Sequence, residues 1–338
     1  MRRIWAGAVV AVLLVLAISR ASAAEKVAIG VLRLASSGPI FVAVDKGYFA
    51  AEGLDAQLKF FDAAQPVAVA TVSGDIDIGV TGLTGGFYNL AGKGALRIIA
   101  AQSREEPHYR LNAYLVSNQA YAAGLTSLAA LADHSVGITQ VGSTFHYCVG
   151  LIAEKLQIPL ASIRLVPLQS LANMASAIKG GQVDAVIMPA TAAEPLLASG
   201  SVKLLGWVGD ETPWQLGAIF TTEHSIAERR PMLEAAIRAY QKGAHDFYDA
   251  FLKKGPGGMP VDGPTAPEIL AILAKYTGLT PEHVRPGIPY VDPDGRLLVR
   301  DIYHQVQWYQ SQGLVDQDVD AKAILDLSFV QGHYDVPQ

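Results

Sequence analysis

Short apolar segments alternate with segments of helical period along most of the chain, and this pattern limits the fold more than any other feature. Apolar runs of strand length between turn residues indicate strands that are buried on both faces. Strands that alternate with helices of about ten residues form a mostly parallel sheet that helices cover on both sides. The sequence therefore predicts an α/β fold. Strands are predicted at 27–32, 55–60, 76–80, 96–101, 135–138, 164–167, 183–188, 202–207 and 218–221.

The strand and helix pattern starts twice, at residue 27 and again after about residue 110, and a mainly helical tail follows it. A chain of 338 residues is also longer than one compact core ordinarily needs. We expect 24–112 and 218–338 to form a first lobe with the C-terminal helices, and 113–217 to form a second lobe. The crossings between the lobes are expected near 111–117 and 206–220. Helices are predicted at 40–49, 65–73, 84–91, 143–156, 171–179 and 192–198, and in the tail at 230–251, 266–276, 300–312 and 321–327.

Residues 1–23 have the features of a cleaved secretory signal peptide. Arg2 and Arg3 precede an apolar run at 4–18, and Ala21 and Ala23 are the small residues before the expected cut. The run is shorter than the ~20 apolar residues that a membrane-spanning helix needs. No cysteine lies directly after this apolar run, so a lipid anchor on the mature N-terminus is not expected. We therefore expect Sec export of a soluble protein to a bacterial periplasm.

Composition excludes several other classes of protein. Hydrophobic residues make up 51% and charged residues 17% of the chain, which excludes a disordered or acidic-tail protein. The net charge is -5, and loss of the three arginines within 1–23 takes it to -8, so nucleic-acid binding is not expected. Cys148 is the single cysteine, and no two histidines have the spacing of metal ligands. We expect no disulfide, metal site or cofactor.

Ligands of open α/β sheets bind beyond the carboxyl ends of the strands, where loops lead into helices. In the second lobe, Gly142, Ser143 and Thr144 follow a predicted strand and open a helix. The free N–H groups and the dipole of a helix start form a seat for an oxyanion. An ordinary N-cap remains an alternative interpretation. Pro189 lies in another loop of this kind.

The equivalent loops of the first lobe also carry hydroxyl groups and glycines. Thr81 and Gly82 follow a predicted strand, and Thr84 is the expected cap of the next helix. This loop lacks the lysine of a phosphate-binding P-loop, which disfavours a nucleotide ligand.

A third loop, at 33–39, offers Ser36 and Ser37 before a helix. Arg33 at the strand end is a candidate partner for a ligand carboxylate or sulfonate, with an ordinary surface arginine as the alternative.

Two further candidates have weaker support. Glu194 belongs to the first turn of a predicted helix, a place where an acidic residue needs no other explanation. Trp214 lies in a turn at a predicted crossing, where its indole either lines the cleft or packs in the core.

An enzymatic site is not expected. The chain has no Gly-x-Ser-x-Gly nucleophile elbow. His146 and Cys148 are two positions apart on a predicted helix, where side chains point about 200° from each other and do not meet. Cys148 also has apolar neighbours, which favours a buried structural cysteine.

Four motifs in order resemble the nitrate/sulfonate/taurine-type solute-binding proteins of ABC transporters. The resemblance covers roughly 26–335, and the motifs are specific together although each is weak alone. They are KGYF and EGL within 46–54, GDIDIG at 74–79, Gly142-Ser143-Thr144, and the run at 177–185 with Glu194-Pro195.

This resemblance implies a two-lobed periplasmic-binding-protein fold (type II-like), with two mixed, mostly parallel sheets and a ligand cleft between the lobes. It also implies a monomer that delivers a small organic anion, such as a sulfonate or carboxylate, to an ABC permease in the inner membrane. A binder of pyrimidine precursors of thiamine is the first alternative, with Trp214 and Glu194 as suppliers of stacking and a carboxylate. An enzyme on the same fold, a pyrimidine synthase or a desulfinase, is the alternative from another class, and a sensor-docking protein is a third.

Overall fold

The computed structural model describes residues 24–337, so the predicted signal peptide lies outside the described residues. Its strands are β1 Glu25–Leu32, β2 Leu54–Phe61, β3 Ile78–Gly82, β4 Leu96–Ala101, β5 Asn112–Ser117, β6 Ser135–Ile138, β7 Arg164–Pro167, β8 Ala185–Pro189, β9 Val202–Trp207 and β10 Gly217–Thr222. Its α-helices are α1 Gly38–Asp45, α2 Tyr48–Ala51, α3 Ala64–Val72, α4 Gly85–Gly92, α5 Asn118–Ala122, α6 Thr144–Leu156, α7 Leu171–Lys179, α8 Ala190–Ala198, α9 Val208–Glu211, α10 Glu223–Phe251, α11 Ala266–Thr277, α12 Pro281–Val284 and α13 Val299–Ser311.

Two mixed sheets of five strands each form the framework. The first has the order β2-β1-β3-β10-β4, and β10 runs antiparallel to both of its neighbours. The second has the order β7-β6-β8-β5-β9, and β5 is its antiparallel strand. The chain passes from the first sheet to the second between β4 and β5, and it returns between β9 and β10. These two mostly parallel sheets, flanked by helices, confirm the predicted fold class.

The segment 111–117, predicted as a crossing, is for the most part a strand. All residues of β5 are buried, and they pair with β8 on one side and β9 on the other. A strand inside a sheet that is covered on both faces has no polar alternation, so its apolar run can be mistaken for a connection. The crossings themselves occupy 102–111 and 208–216.

The helix predicted at 321–327 is wrong, because this segment pairs with the edge of the first sheet. The Ile98 N–H donates to the Ile324 carbonyl at 2.9 Å, and the Asp326 N–H donates to the Ile98 carbonyl at 2.9 Å. Ile98 lies on β4, an edge strand whose backbone groups need partners. The apolar residues of the segment therefore serve strand pairing and not a helix face.

Two apolar cores hold the helices against the sheets. One packs α1, α10 and α11 on a face of the first sheet, and the other extends from the second sheet through α6 to α13. The long α10 contains a non-helical residue at Arg229, just before Pro231, so its regular part begins where the sequence predicts. Within residues 24–337, no helix combines the length and hydropathy needed to cross a membrane.

Candidate functional site

A cavity of about 230 Å³ lies between the two sheets, where the ends of four strands meet. Leu32, Gly82 and Pro189 are the last residues of β1, β3 and β8, and Thr139 follows β6. The carboxyl ends of strands are the usual ligand position in open α/β sheets. The volume is close to the lower end of small-molecule sites, which run from roughly 300 Å³ upward.

Four helices begin at this cavity. Ala64 of α3, Gly86 of α4, Thr144 of α6 and Ala190 of α8 are the first or second residues of their helices, and all four line it. A helix start presents N–H groups without intrahelical partners and carries the positive end of the helix dipole. Each of these helix starts therefore contributes a positive partial charge to the cavity without a cationic side chain.

The start of α6 shows how these donors are arranged. Ser143 caps the helix, because its Oγ accepts from the His146 N–H at 3.3 Å. By helix geometry this leaves the N–H groups of Thr144 and Phe145 for another acceptor. The Gly142 N–H is not free, since it donates to Nδ1 of His146 at 3.1 Å. The candidate seat for an oxyanion thus comprises one N–H fewer than the sequence indicates.

His146 is a neutral acceptor in this arrangement. Burial lowers the pKa of its imidazole to about 4, because desolvation disfavours the charged ring. Its ring lies edge-on to Trp308 of α13, with 5.2 Å between the ring centroids. A neutral ring can keep Nδ1 unprotonated for the Gly142 N–H, which holds the loop before α6 in place.

The two sides of the cavity touch at the start of α4. The Gly85 N–H donates to the Gly142 carbonyl at 2.9 Å. A Cβ atom added at Gly82 would lie 2.8 Å from Cγ2 of Thr144, so the glycine permits this close approach. Thr84 caps α4, as predicted, by accepting from the Phe87 N–H at 3.1 Å.

Thr84 also fixes a carboxamide at the cavity. Its hydroxyl donates to Oε1 of Gln65 at 2.6 Å, which leaves the Gln65 amide hydrogens for a ligand. The carboxamide lies against Gly86, where a Cβ atom would come within 2.4 Å of it.

The charge of the lining differs from the expectation based on Arg33. Among the described residues that line the cavity, Asp62 alone has a charged side chain. The Arg33 guanidinium instead donates to the Tyr276 carbonyl at 2.9 Å and lies 3.8 Å from the ring centroid of Phe60. Stacking on an aromatic ring and a carbonyl of α11 thus hold Arg33 outside the cavity lining.

The structure brings together most of the other predicted site residues. Those that line the cavity are Ser36, Thr81, Gly82, Gly142, Ser143, Thr144 and Pro189. Ser37 is buried beneath the start of α1 and is not part of the lining. Glu194 pairs with Arg110 at 3.2 Å on the other side of α8's first turns. Trp214 is a core residue, packed edge-on against Tyr147 with 4.8 Å between centroids.

The hydroxyl group of Thr81 is buried at the cavity without a hydrogen-bond partner among the described residues. Thr81 itself is 2% exposed. A buried hydroxyl without a partner costs free energy, so such groups commonly await a ligand or water. Because Thr81 lines the cavity, its hydroxyl lies close to the position of a bound molecule and is a candidate ligand partner.

Sequence reasoning missed the amide side chains of the lining. Gln65, Gln102, Asn112 and Gln140 all contribute to the cavity. Each lies within a few residues of a strand end or helix start, and that position was the signal that could have found them. Apolar side chains complete the walls; they include Leu34, Leu111, Phe145, Leu171 and Leu216.

Two mixed sheets with a cavity at their facing strand ends define a periplasmic-binding-protein fold, as predicted. The model of the NMT1/THI5-like family matches residues 35–250, and the chain belongs to this family. No curated protein sequence matches the chain.

Solved structures show the same fold. The alkanesulfonate-binding protein SsuA from Xanthomonas axonopodis pv. citri, bound to MOPS, is 18% identical with a TM-score of 0.70 over 90% of this chain and 99% of that chain. The periplasmic nitrate-binding protein NrtA from Synechocystis PCC 6803 is 14% identical with a TM-score of 0.69, over 89% and 84% of the two chains. A DSZB mutant in complex with biphenyl-2-sulfinic acid is 13% identical with a TM-score of 0.58, over 90% and 97%.

Proposed function

We propose that the chain is the exported solute-binding component of an ABC importer, and that it captures a small organic anion between its lobes for delivery to a membrane permease. The observation that carries the ligand class is the convergence of four helix starts on a cavity with apolar walls. Neutral N–H and O–H donors can hold a sulfonate or carboxylate, and the apolar walls suit an organic body. Similarity to proteins named for alkanesulfonate and nitrate binding supports this ligand class.

Bare inorganic anions fit this cavity less well. Its described lining contains no lysine, arginine or histidine side chain, and Asp62 adds a negative charge. A compact ion with a high charge density is costly to desolvate without a cationic partner. We therefore propose a monovalent ligand whose apolar part contacts Leu111, Leu171 and Leu216.

A pyrimidine precursor of thiamine is the second candidate ligand. The amides of Gln65, Gln102, Asn112 and Gln140 suit the hydrogen-bonding edges of a neutral heterocycle. Trp214 and Glu194 do not supply the stacking and the carboxylate, because they lie outside the lining.

A thiol enzyme receives little support from the site. Cys148 is fully buried, and burial raises the pKa of its thiol well above the ordinary value. A reactive cysteine requires the opposite, a lowered pKa and an accessible position.

Thermal unfolding of the chain from Ala24 onward, against a panel of solutes, tests the proposal. The panel contains ethanesulfonate, taurine, MOPS, nitrate, propionate, benzoate and 4-amino-2-methylpyrimidine derivatives. A ligand at a hundred times its dissociation constant adds about 2.7 kcal/mol to the free energy of unfolding. A response confined to sulfonates or carboxylates is expected. A response to pyrimidines alone would favour the second candidate, and no response to any anion would contradict the first.

Two matched serine variants connect the response to the cavity. Ser143 and Ser117 both cap a helix through Oγ and both are buried, but only Ser143 lines the cavity. Ser143→Ala and Ser117→Ala should each cost about 1 kcal/mol of stability. Only Ser143→Ala should weaken binding of the responding anion. Equal affinities in the two variants would contradict the assignment of the seat to α6.

A further inference from the structure

Glu105 is a buried carboxyl group in the first crossing between the lobes. It is 0% exposed, and its backbone pairs with Trp214 in the second crossing. The Glu105 N–H donates to the Trp214 carbonyl at 2.9 Å, and the Trp214 N–H donates back at 3.2 Å. The second crossing thus fixes the backbone of Glu105 through two hydrogen bonds.

The carboxyl group of Glu105 contacts a residue of the cavity. Nδ2 of Asn112 donates to its Oε1 at 2.6 Å. Asn112 is the first residue of β5, is 3% exposed and lines the cavity. Because a carboxamide is planar, fixing Nδ2 on Glu105 turns Oδ1 away from it. Within residues 24–337 the one side-chain bond of this carboxamide is the one from Nδ2, and Oδ1 is not among the fully buried atoms without a partner, so Oδ1 remains open to a donor in the cavity.

The protonation of Glu105 suits an anionic ligand nearby. Burial raises the pKa of Glu105 to about 8, since desolvation disfavours the charged carboxylate. At neutral pH the group is therefore mainly uncharged and does not repel an anion in the cavity. A neutral carboxyl group can still accept from Nδ2 through its carbonyl oxygen.

We propose that Glu105 is a positioning residue that presents the Asn112 carbonyl oxygen to the cavity, and that this pair selects ligands carrying an O–H or N–H donor. The inference rests on the proposed function, and it narrows the ligand class to organic anions with a second, hydrogen-donating group. A ligand that displaces water from Oδ1 without supplying a donor leaves this acceptor unpaired, and an unpaired acceptor that loses its water is costly.

Paired probes that differ by one hydroxyl group test this inference by calorimetric titration. One pair is 2-hydroxyethanesulfonate and ethanesulfonate, and the other is 3-hydroxypropionate and propionate. The protein from Ala24 onward should bind the hydroxylated member of a pair roughly tenfold more tightly. Asn112→Leu and Glu105→Leu should each remove this preference while the probes still bind. Glu105→Gln should retain it, because its amide carbonyl also accepts from Nδ2.

Two further variants test whether neighbouring carboxylates, and not the Glu105–Asn112 pair, cause the preference. Glu106→Gln alters the neighbouring carboxylate, which pairs with Arg104 at 2.9 Å and does not line the cavity, and it should keep the preference. Asp62→Asn tests the one carboxylate of the described lining as an alternative acceptor. Loss of the preference in Asp62→Asn but not in Asn112→Leu would assign it to Asp62 and overturn the inference.

The outcomes distinguish the inference from the function on which it rests. If neither pair binds at all, the proposed anion-binding function fails and the inference fails with it. If the members of a pair bind equally, or if ethanesulfonate or propionate binds more tightly, the inference is overturned while anion binding stands. Glu105→Gln and Asn112→Leu keep the test decisive should Glu105→Leu not fold.

Discussion

Replacement of Gly150 by alanine should reveal that α13 ties the two lobes together. Gly150 lies in the middle of α6, and a Cβ atom there would be 2.1 Å from Cζ2 and 2.4 Å from Cε2 of Trp308. Trp308 belongs to α13, which also contacts α4 of the first lobe through the bond from Tyr88 to Gln305 at 2.9 Å. The Trp308 indole therefore lies against the α6 backbone at Gly150, in a space (the Gly150 notch) that any larger side chain at this position would fill.

Two opposing effects set the size of the change. Alanine favours a helix interior over glycine by about 1 kcal/mol, which would stabilise the protein. Overpacking a filled core costs about 1 to 3 kcal/mol, and the Trp308 ring at 2.1 Å leaves no room for a methyl group. We expect Gly150→Ala to lower the free energy of unfolding by up to about 2 kcal/mol. Trp308→Ala alone should cost about 3 to 5 kcal/mol by creating a cavity.

The decisive measurement is a double-mutant cycle by urea unfolding. Without the indole, Gly150→Ala meets no clash and should stabilise the Trp308→Ala protein by about 1 kcal/mol. The sign of the same substitution thus reverses between the two backgrounds, with a coupling of about 1 to 3 kcal/mol. If Gly150→Ala stabilises both proteins equally, the Trp308 indole does not lie in the Gly150 notch, and α13 does not connect the lobes through this contact.

Three further substitutions concern the cavity. Gly82→Ala places a methyl group 2.8 Å from Cγ2 of Thr144 on the other side of the cavity, so calorimetry should show a ligand affinity reduced at least tenfold. An unchanged affinity would contradict the close approach. Thr81→Val removes a buried hydroxyl that has no hydrogen-bond partner within residues 24–337. The unliganded protein should therefore be as stable or slightly more stable, while the ligand affinity falls about three- to tenfold. A loss of stability with unchanged affinity would be contrary evidence. Burial holds the pKa of His146 at about 4 in the folded protein, against about 6.5 in the unfolded chain. Its contribution to the free energy of unfolding is therefore present above pH 6.5 and is lost as the pH falls to 4. This loss is on the order of 3 kcal/mol. Urea unfolding of His146→Asn across that range should lack this loss, and an identical pH dependence of the two proteins would refute the reasoning.

Most strands could be predicted from the sequence because they form short apolar runs between turn residues, including the edge strands β2, β7 and β9 that are only partly buried. Nine of the ten strands were predicted in this way, and β5 alone was taken for a crossing. The same rule failed at 321–327, where Ile324 and Leu325 are apolar because they cover the edge of β4. Pairing with an edge strand leaves no periodic signal in so short a segment.

The candidate site was only partly predictable, because loop position does not determine side-chain direction. Ser36 and Ser37 are adjacent in the same loop, yet Ser36 lines the cavity and Ser37 is buried beneath α1. Arg33 follows a strand whose end lies at the cavity, but its side chain extends over Phe60 instead. Contacts such as the one between Thr84 and Gln65 join two loops that are distant in sequence, and no local pattern indicates them.

The charge balance of the cavity places a limit on its ligand. Each helix start carries roughly half a positive elementary charge, and four of them converge here. Their sum is on the order of two positive charges, and the carboxylate of Asp62 offsets about one of them. This balance favours the proposed ligand with one net negative charge, whereas a divalent anion would remain partly uncompensated among apolar walls. Under the proposed function, this balance also accounts for a site without an arginine. Partial charges fixed in the backbone need no side-chain ordering when a ligand binds, and they form no single strong ion pair that would slow its release.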